Sequence, residues 1–194
     1  MSAVAKIELQ QTALSMVRIG LRLSYIRGVT RLNERFLRGL WKEVHGKSPS
    51  SGTSYTSEDT GLKTYSQSRQ SAAFANIYMT TAKGYGLGRG FDYVGSKEHY
   101  FLDPNTFLDA WSTYTELAAN EDLTPDIAWQ VVRNLTSSTT VWTHCKKCST
   151  GFIHLAHVKE NECKCPFCTD AARSQRRQKK DRPVQGVSLA QQAV

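Results

Sequence analysis

No stretch of eighteen or more apolar residues occurs in the 194-residue chain, so no segment has the length and apolarity of a transmembrane helix. The opening MSAVAKIELQ lacks the basic flank, apolar block and small-residue cleavage site of a secretory signal. These absences predict a soluble, cytoplasmic protein with no membrane partner. Cysteine is missing from most of the chain, and all five lie between Cys145 and Cys168. In a reducing cytosol such clustering favours metal binding over a disulfide framework. Catalytic signatures are missing too: there is no nucleophile elbow and no HExxH helix. Gly84, Gly86, Gly88, Gly90 and Gly95 lack the Gly-Lys-Ser/Thr ending or strand-turn-helix frame of a phosphate loop. The sequence reads as a non-enzyme.

What is present is positive charge, unevenly placed. The formal net charge is +8, with 9 Lys/Arg against 3 Asp/Glu in residues 1–47, 6 against 10 in residues 48–143, and 10 against 4 in residues 144–194. Two basic ends flanking an acidic middle suit a polyanion, because neutralising phosphates releases counterions from nucleic acid. For any single charge, plain solvated surface is the better explanation.

The apolar pattern is helical over most of the length. From Val4 to about Tyr25, Ile7, Leu14, Val17 and Leu21 recur at helical steps, and Ile19, Leu23 and Ile26 form a second row. Two apolar faces predict a helix buried on both sides, in the core or partly against another subunit. Gly28 is expected to interrupt it, and Asn33 to cap a second helix through Val44, with Phe36, Leu37, Leu40, Trp41 and Val44 at helical spacing. Residues 45–61, rich in Ser, Thr, Gly and Pro, read as a linker or exposed loop. Further helices are predicted from about Tyr65 to Lys83, from Asp103-Pro104 to about Ala119, and from Thr124-Pro125 to about Leu135.

Cys145-Lys-Lys-Cys148, sixteen residues, then Cys165-Pro-Phe-Cys168 is a C-x2-C-x16-C-x2-C pattern, the spacing of a four-thiolate Zn2+ site. Each pair can turn two thiolates inward, and two turns complete a tetrahedron. Such a closed site is structural, since a catalytic zinc keeps a position for water or substrate. In so short a module the metal should supply most of the folding free energy. Cys163 makes a poorer pair with Cys165 and is left out. His144, His154 and His157 are alternative ligands. Lys146, Lys147 and Lys164 lie beside the thiolates, placed to offset their charge or to face phosphate.

Arg31, Arg35, Arg38 and Lys42 fall at four-, three- and four-residue steps, one basic stripe on a helix. With the preceding helix and the Gly28 turn, they form a helix-turn-helix-like segment whose second helix would enter a DNA major groove. A solvated helix face accounts for the same stripe. Beyond the cysteines, Arg173, Arg176, Arg177, Lys179 and Lys180 form a basic run suited to phosphate contact.

These features together resemble the FlhC family of bacterial flagellar transcriptional activators. The resemblance is carried by TRLNERFLRGLWKEVHGKSP at residues 30–49, by the four cysteines at their spacing, and by GFIHLAH at residues 151–157. It implies a mainly α-helical protein that joins a partner subunit, FlhD, in a hetero-oligomer. That complex would activate flagellar class II promoters on double-stranded DNA with σ70 RNA polymerase. It also implies that Cys145, Cys148, Cys165 and Cys168 bind zinc. The expected organisation is a helical domain over 1–140, a small four-cysteine, zinc-ribbon-like module over 141–172, and a basic, flexible tail over 173–194. The competing reading is an RNA-binding or translation-associated zinc ribbon, which calls for stacking aromatics on a sheet surface that a helical pattern does not supply.

Overall fold

The computed structural model describes residues 2–50, 52, 54–85, 102–118, 123–159 and 162–168. The long first helix is in fact two, α1 (Ala3–Arg18) and α2 (Leu23–Thr30). The break falls at Gly20, whose φ of 81° is readily adopted only by glycine, while Gly28 lies inside α2 and interrupts nothing. A three-residue turn then leads to α3 (Glu34–His45). Asn33 caps it as expected, its side chain accepting from the Arg35 N–H at 2.7 Å. Gly46 ends it at φ 67°, donating its N–H to Lys42 O at 2.9 Å. The helix-turn-helix-like element is therefore α2, residues 31–33 and α3.

The body continues with α4 (Tyr65–Gly84), α5 (Pro104–Leu117) and α6 (Pro125–Thr136), followed by β1 (Thr140–His144) and β2 (Gly151–Leu155). α5 and α6 start where local chemistry demands. Asp103 and Thr124 accept from the N–H groups of Thr106 and Ile127, and a proline fills the first turn of each, where its missing N–H costs nothing. Phe74 of α4 meets Phe107, Trp111 and Tyr114 of α5 edge-on at 5.5, 5.8 and 5.6 Å, and Phe107 meets Trp129 of α6 at 4.8 Å. Each such pair adds about 0.5–1.5 kcal/mol beyond simple burial. Val17, Leu21, Ile26 and Leu37 join α1, α2 and α3 to the same core. A hydrogen bond of 2.8 Å between His45 Nε2 and Val17 O ties the end of α3 to the end of α1.

The segment before α4 is not a free linker. Ser57 O and Glu58 O accept from the Asn134 side-chain amide of α6 at 3.4 and 3.0 Å, Tyr25 donates its hydroxyl proton to Tyr55 O, and Thr60 is buried. At Gly61, φ is 81° and an added Cβ would meet Ser71 Oγ at 2.6 Å and Val131 Cγ2 at 2.7 Å, so only glycine lets the loop close on the helices.

β1 and β2 pair antiparallel, Thr140 opposite Leu155 and His144 opposite Gly151. Successive strand residues point to opposite faces, yet Phe152 and Ile153 are both buried. Ile153 enters the helical core, and Phe152 packs with Ala72 of α4 and Cys165. The hairpin is thus seated on α4, with its outer end carrying cysteines.

Candidate metal centre and basic helix

Cys145 follows β1 directly, and the turn to Cys148 is closed by backbone bonds. Ser149, at φ 58°, donates its N–H to Cys145 O at 2.8 Å, while Cys145 donates its own to Thr150 O at 3.0 Å. The Lys147 N–H lies 3.4 Å from Cys145 Sγ, an arrangement that favours thiolate. Cys165 immediately precedes a helical segment at residues 166–168 that carries Cys168, and Cys165 is anchored by packing against Phe152.

The sulfurs of Cys145 and Cys168 are 3.7 Å apart, as are those of Cys148 and Cys165, and all four lie within 4.8 Å of one another. A tetrahedron with metal–sulfur bonds of about 2.3 Å has edges of roughly 3.8 Å. The donor set therefore fits a four-coordinate metal and leaves no position for a substrate. The thiols differ in acidity. Thr150 holds Cys148 down to about 6, while hydrogen bonding to Cys148 and Cys145 pushes Cys168 up to about 12. Backbone N–H groups lower Cys145, and burial raises Cys165. A bound dication would favour the thiolate at all four.

Cys163 stands apart from this cluster, donating to Lys159 O at 3.3 Å. None of the three candidate histidines belongs to it: His154 Nδ1 hydrogen-bonds Leu155 O at 2.9 Å and His157 faces Glu58 at 3.9 Å. Lys146, Lys147 and Lys164 line a depression shared with Cys145, Cys165 and Cys168, together with His144 and Cys163.

On α3 the basic stripe is shorter than expected. Arg35, Arg38 and Lys42 are exposed on the helix, but Arg31 is the left-handed cap of α2 at φ 54°, outside α3. The buried face is Leu37 and Trp41; Phe36 and Val44, expected in the apolar face, are 40% and 36% exposed. Arg27 is a residue the sequence pattern missed. Glu34 joins it to Arg38 across the turn, at 2.9 Å to Arg27 Nη1 and 2.8 Å to Arg38 Nη2, and the bond to Arg38 lowers the Glu34 pKa. The seven-residue step from Arg27 to Glu34 could have signalled it only with the turn geometry in hand. Arg173, Arg176, Arg177, Lys179 and Lys180 lie outside the described residues, as does the glycine-rich stretch beyond Tyr85.

The family model described as flagellar transcriptional activator (FlhC) matches residues 1–181. The chain belongs to the FlhC family. It is 27% identical over 163 residues to the flagellar transcriptional regulator FlhC of Thauera aminoaromatica, covering 84% of this chain and 77% of that one. It is 27% identical over 174 residues to FlhC of Serratia marcescens, 87% and 82% covered. With FlhC of Gallionella capsiferriformans the identity is 25% over 174 residues, 90% of each chain. FlhC proteins are transcriptional regulators, not an enzyme class. Among the described residues no helix is long and apolar enough to cross a membrane.

Proposed function

We propose that this FlhC-family chain is the DNA-binding subunit of a cytoplasmic flagellar activator, assembling with FlhD and acting on class II operons through σ70 RNA polymerase. One Zn2+ held by Cys145, Cys148, Cys165 and Cys168 is structural. Arg31, Arg35, Arg38 and Lys42 contact the duplex, with Arg173, Arg176, Arg177, Lys179 and Lys180 adding phosphate contacts. The observation that carries this reading is α3 itself, a short helix fixed to the core by Leu37 and Trp41 that turns Arg35, Arg38 and Lys42 to solvent. A rigid helix with an exposed basic face is what groove entry requires. Support for a partner subunit comes from α1 and α3: Val4 and Ile7 are 64% and 54% exposed, alongside Phe36 and Val44. Uncovered apolar side chains of this kind suit a protein interface.

The test is duplex binding by the purified protein, alone and with FlhD, to a flagellar promoter fragment and a scrambled duplex at two salt concentrations, with zinc content measured. Promoter-selective, partner-enhanced binding by a protein carrying one zinc is expected. Arg35→Ala should weaken DNA binding with zinc retained, and Cys165→Ser should lose both. Unchanged DNA affinity in Arg35→Ala removes α3 as the reading helix. Zinc binding without preference for duplex DNA over single-stranded RNA would put the RNA-binding ribbon ahead.

A further inference from the structure

We propose that the cleft between α2 and α3 is a binding site for a phosphate oxyanion. It encloses about 390 Å³ and is lined by Arg22, Arg27, Glu34, Arg38, Trp41 and Pro49. Three guanidiniums thus meet two carboxylates, Glu34 in the cleft and Asp126 behind Arg22. Arg22 is fixed at one side: its Nε donates to Asp126 Oδ2 at 2.8 Å and its guanidinium lies over the Tyr55 ring at 5.3 Å. On the other side Glu34 holds two arginines at once, Oε1 accepting from Arg38 Nε and Nη2 at 3.0 and 2.8 Å and Oε2 from Arg27 Nη1 at 2.9 Å. One carboxylate shared by two guanidiniums leaves a positive charge uncompensated. A guanidinium has five N–H donors, and the donors on Arg38 Nη1 and on Arg27 Nε and Nη2 have no partner among the described residues.

Trp41, 8% exposed, closes the floor of the cleft between the arginines. Cationic forks with N–H donors left open call for a ligand with several acceptor oxygens and negative charge, as phosphate has and a single carboxylate lacks. The volume lies within the range of small-molecule pockets, from about 300 Å³ upward. The oxyanion comes either from a free phosphorylated small molecule or from a nucleic-acid strand, and the chemistry of recognition is the same.

The experiment is calorimetric titration of the full-length protein with inorganic pyrophosphate at constant ionic strength. Saturable binding is expected. Arg27→Gln should weaken it about tenfold or more, the size of a lost charge-assisted hydrogen bond. Glu34→Gln, which removes the competing charge and keeps the shape, should strengthen it. Circular dichroism checks that both variants fold. A promoter duplex is then titrated with and without saturating pyrophosphate: competition abolished by Arg27→Gln identifies a strand phosphate as the occupant, and simultaneous binding identifies a free ligand. The pyrophosphate arm needs no DNA, so it reads out even if the DNA-binding function fails. Absence of saturable pyrophosphate binding, or full affinity in Arg27→Gln, overturns the proposal.

Discussion

The same substitution, glycine to alanine, should have opposite effects at two positions, and the contrast tests how the hairpin is built. At Gly151 an added Cβ would stand 2.1 Å from Trp142 Cζ2 and 2.6 Å from Cε2, distances that no real Cβ tolerates. Trp142 packs against both the helical core and the cysteine cluster, so its ring cannot swing away without loosening one of them. Overpacking of this kind costs about 1–3 kcal/mol. Because Cys145 lies three residues after Trp142, the displaced strand also misplaces a sulfur. Gly39 sits in the interior of α3, with nothing within 4 Å of its missing Cβ. There Gly39→Ala gains about 1 kcal/mol of helix propensity. Thermal denaturation of zinc-loaded protein, with zinc affinity measured by chelator competition, reads both. Gly151→Ala should lose stability and bind zinc more weakly; Gly39→Ala should gain about 2–4 °C in Tm for a chain of this size, with zinc affinity unchanged. A Gly151→Ala protein with wild-type stability and zinc affinity would refute the packing of Trp142 over Gly151.

Two adjacent residues of α3 should separate folding from assembly. Leu37→Ala empties a fully buried position and should cost about 2–5 kcal/mol by urea denaturation, whereas Phe36→Ala, at an exposed site, should stay within about 0.5 kcal/mol. If α3 contributes to the subunit interface, Phe36→Ala weakens co-sedimentation with FlhD; equal loss of stability in both variants would sink the assigned burial. Glu34 supplies a pH dependence. Its pKa lies below the usual 4.5 because Arg38 and Arg27 favour the carboxylate, so the ordering of the arginine pair is complete above the unfolded value and is lost as pH falls through the lower folded one. Side-chain NMR of Arg38 Nε–H should therefore show protection at neutral pH and its loss in acid; protection persisting in fully protonated Glu34 would contradict the pairing.

What the sequence showed and what it concealed divide along the range of the interactions involved. The cysteine cluster was legible because each C-x2-C pair is local, the first of them set in the turn that joins β1 to β2. α5 and α6 were legible because Asp103-Pro104 and Thr124-Pro125 act within one turn. The break at Gly20 was concealed because Val17, Leu21 and Ile26 face one core from either side of it, and an apolar row records burial, not continuity of the helix. α3 offers two apolar rows, Phe36 with Leu40 and Val44, and Leu37 with Trp41. Spacing alone cannot choose between them; the position of α1, fixed partly by the bond from His45 to Val17 O, does. The loop before α4 was misread because its polar composition says only that water could satisfy it. Asn134, more than seventy residues away, takes the place of that water at Ser57 and Glu58. The Arg27, Glu34 and Arg38 cluster is hidden for the same reason, since a turn brings Arg27 beside α3 only once residues 31–33 reverse the chain. The residues whose roles were hardest to read are thus those whose partners lie across a turn or in another element, where charge and hydrogen bonding are set by tertiary structure and no local period records them.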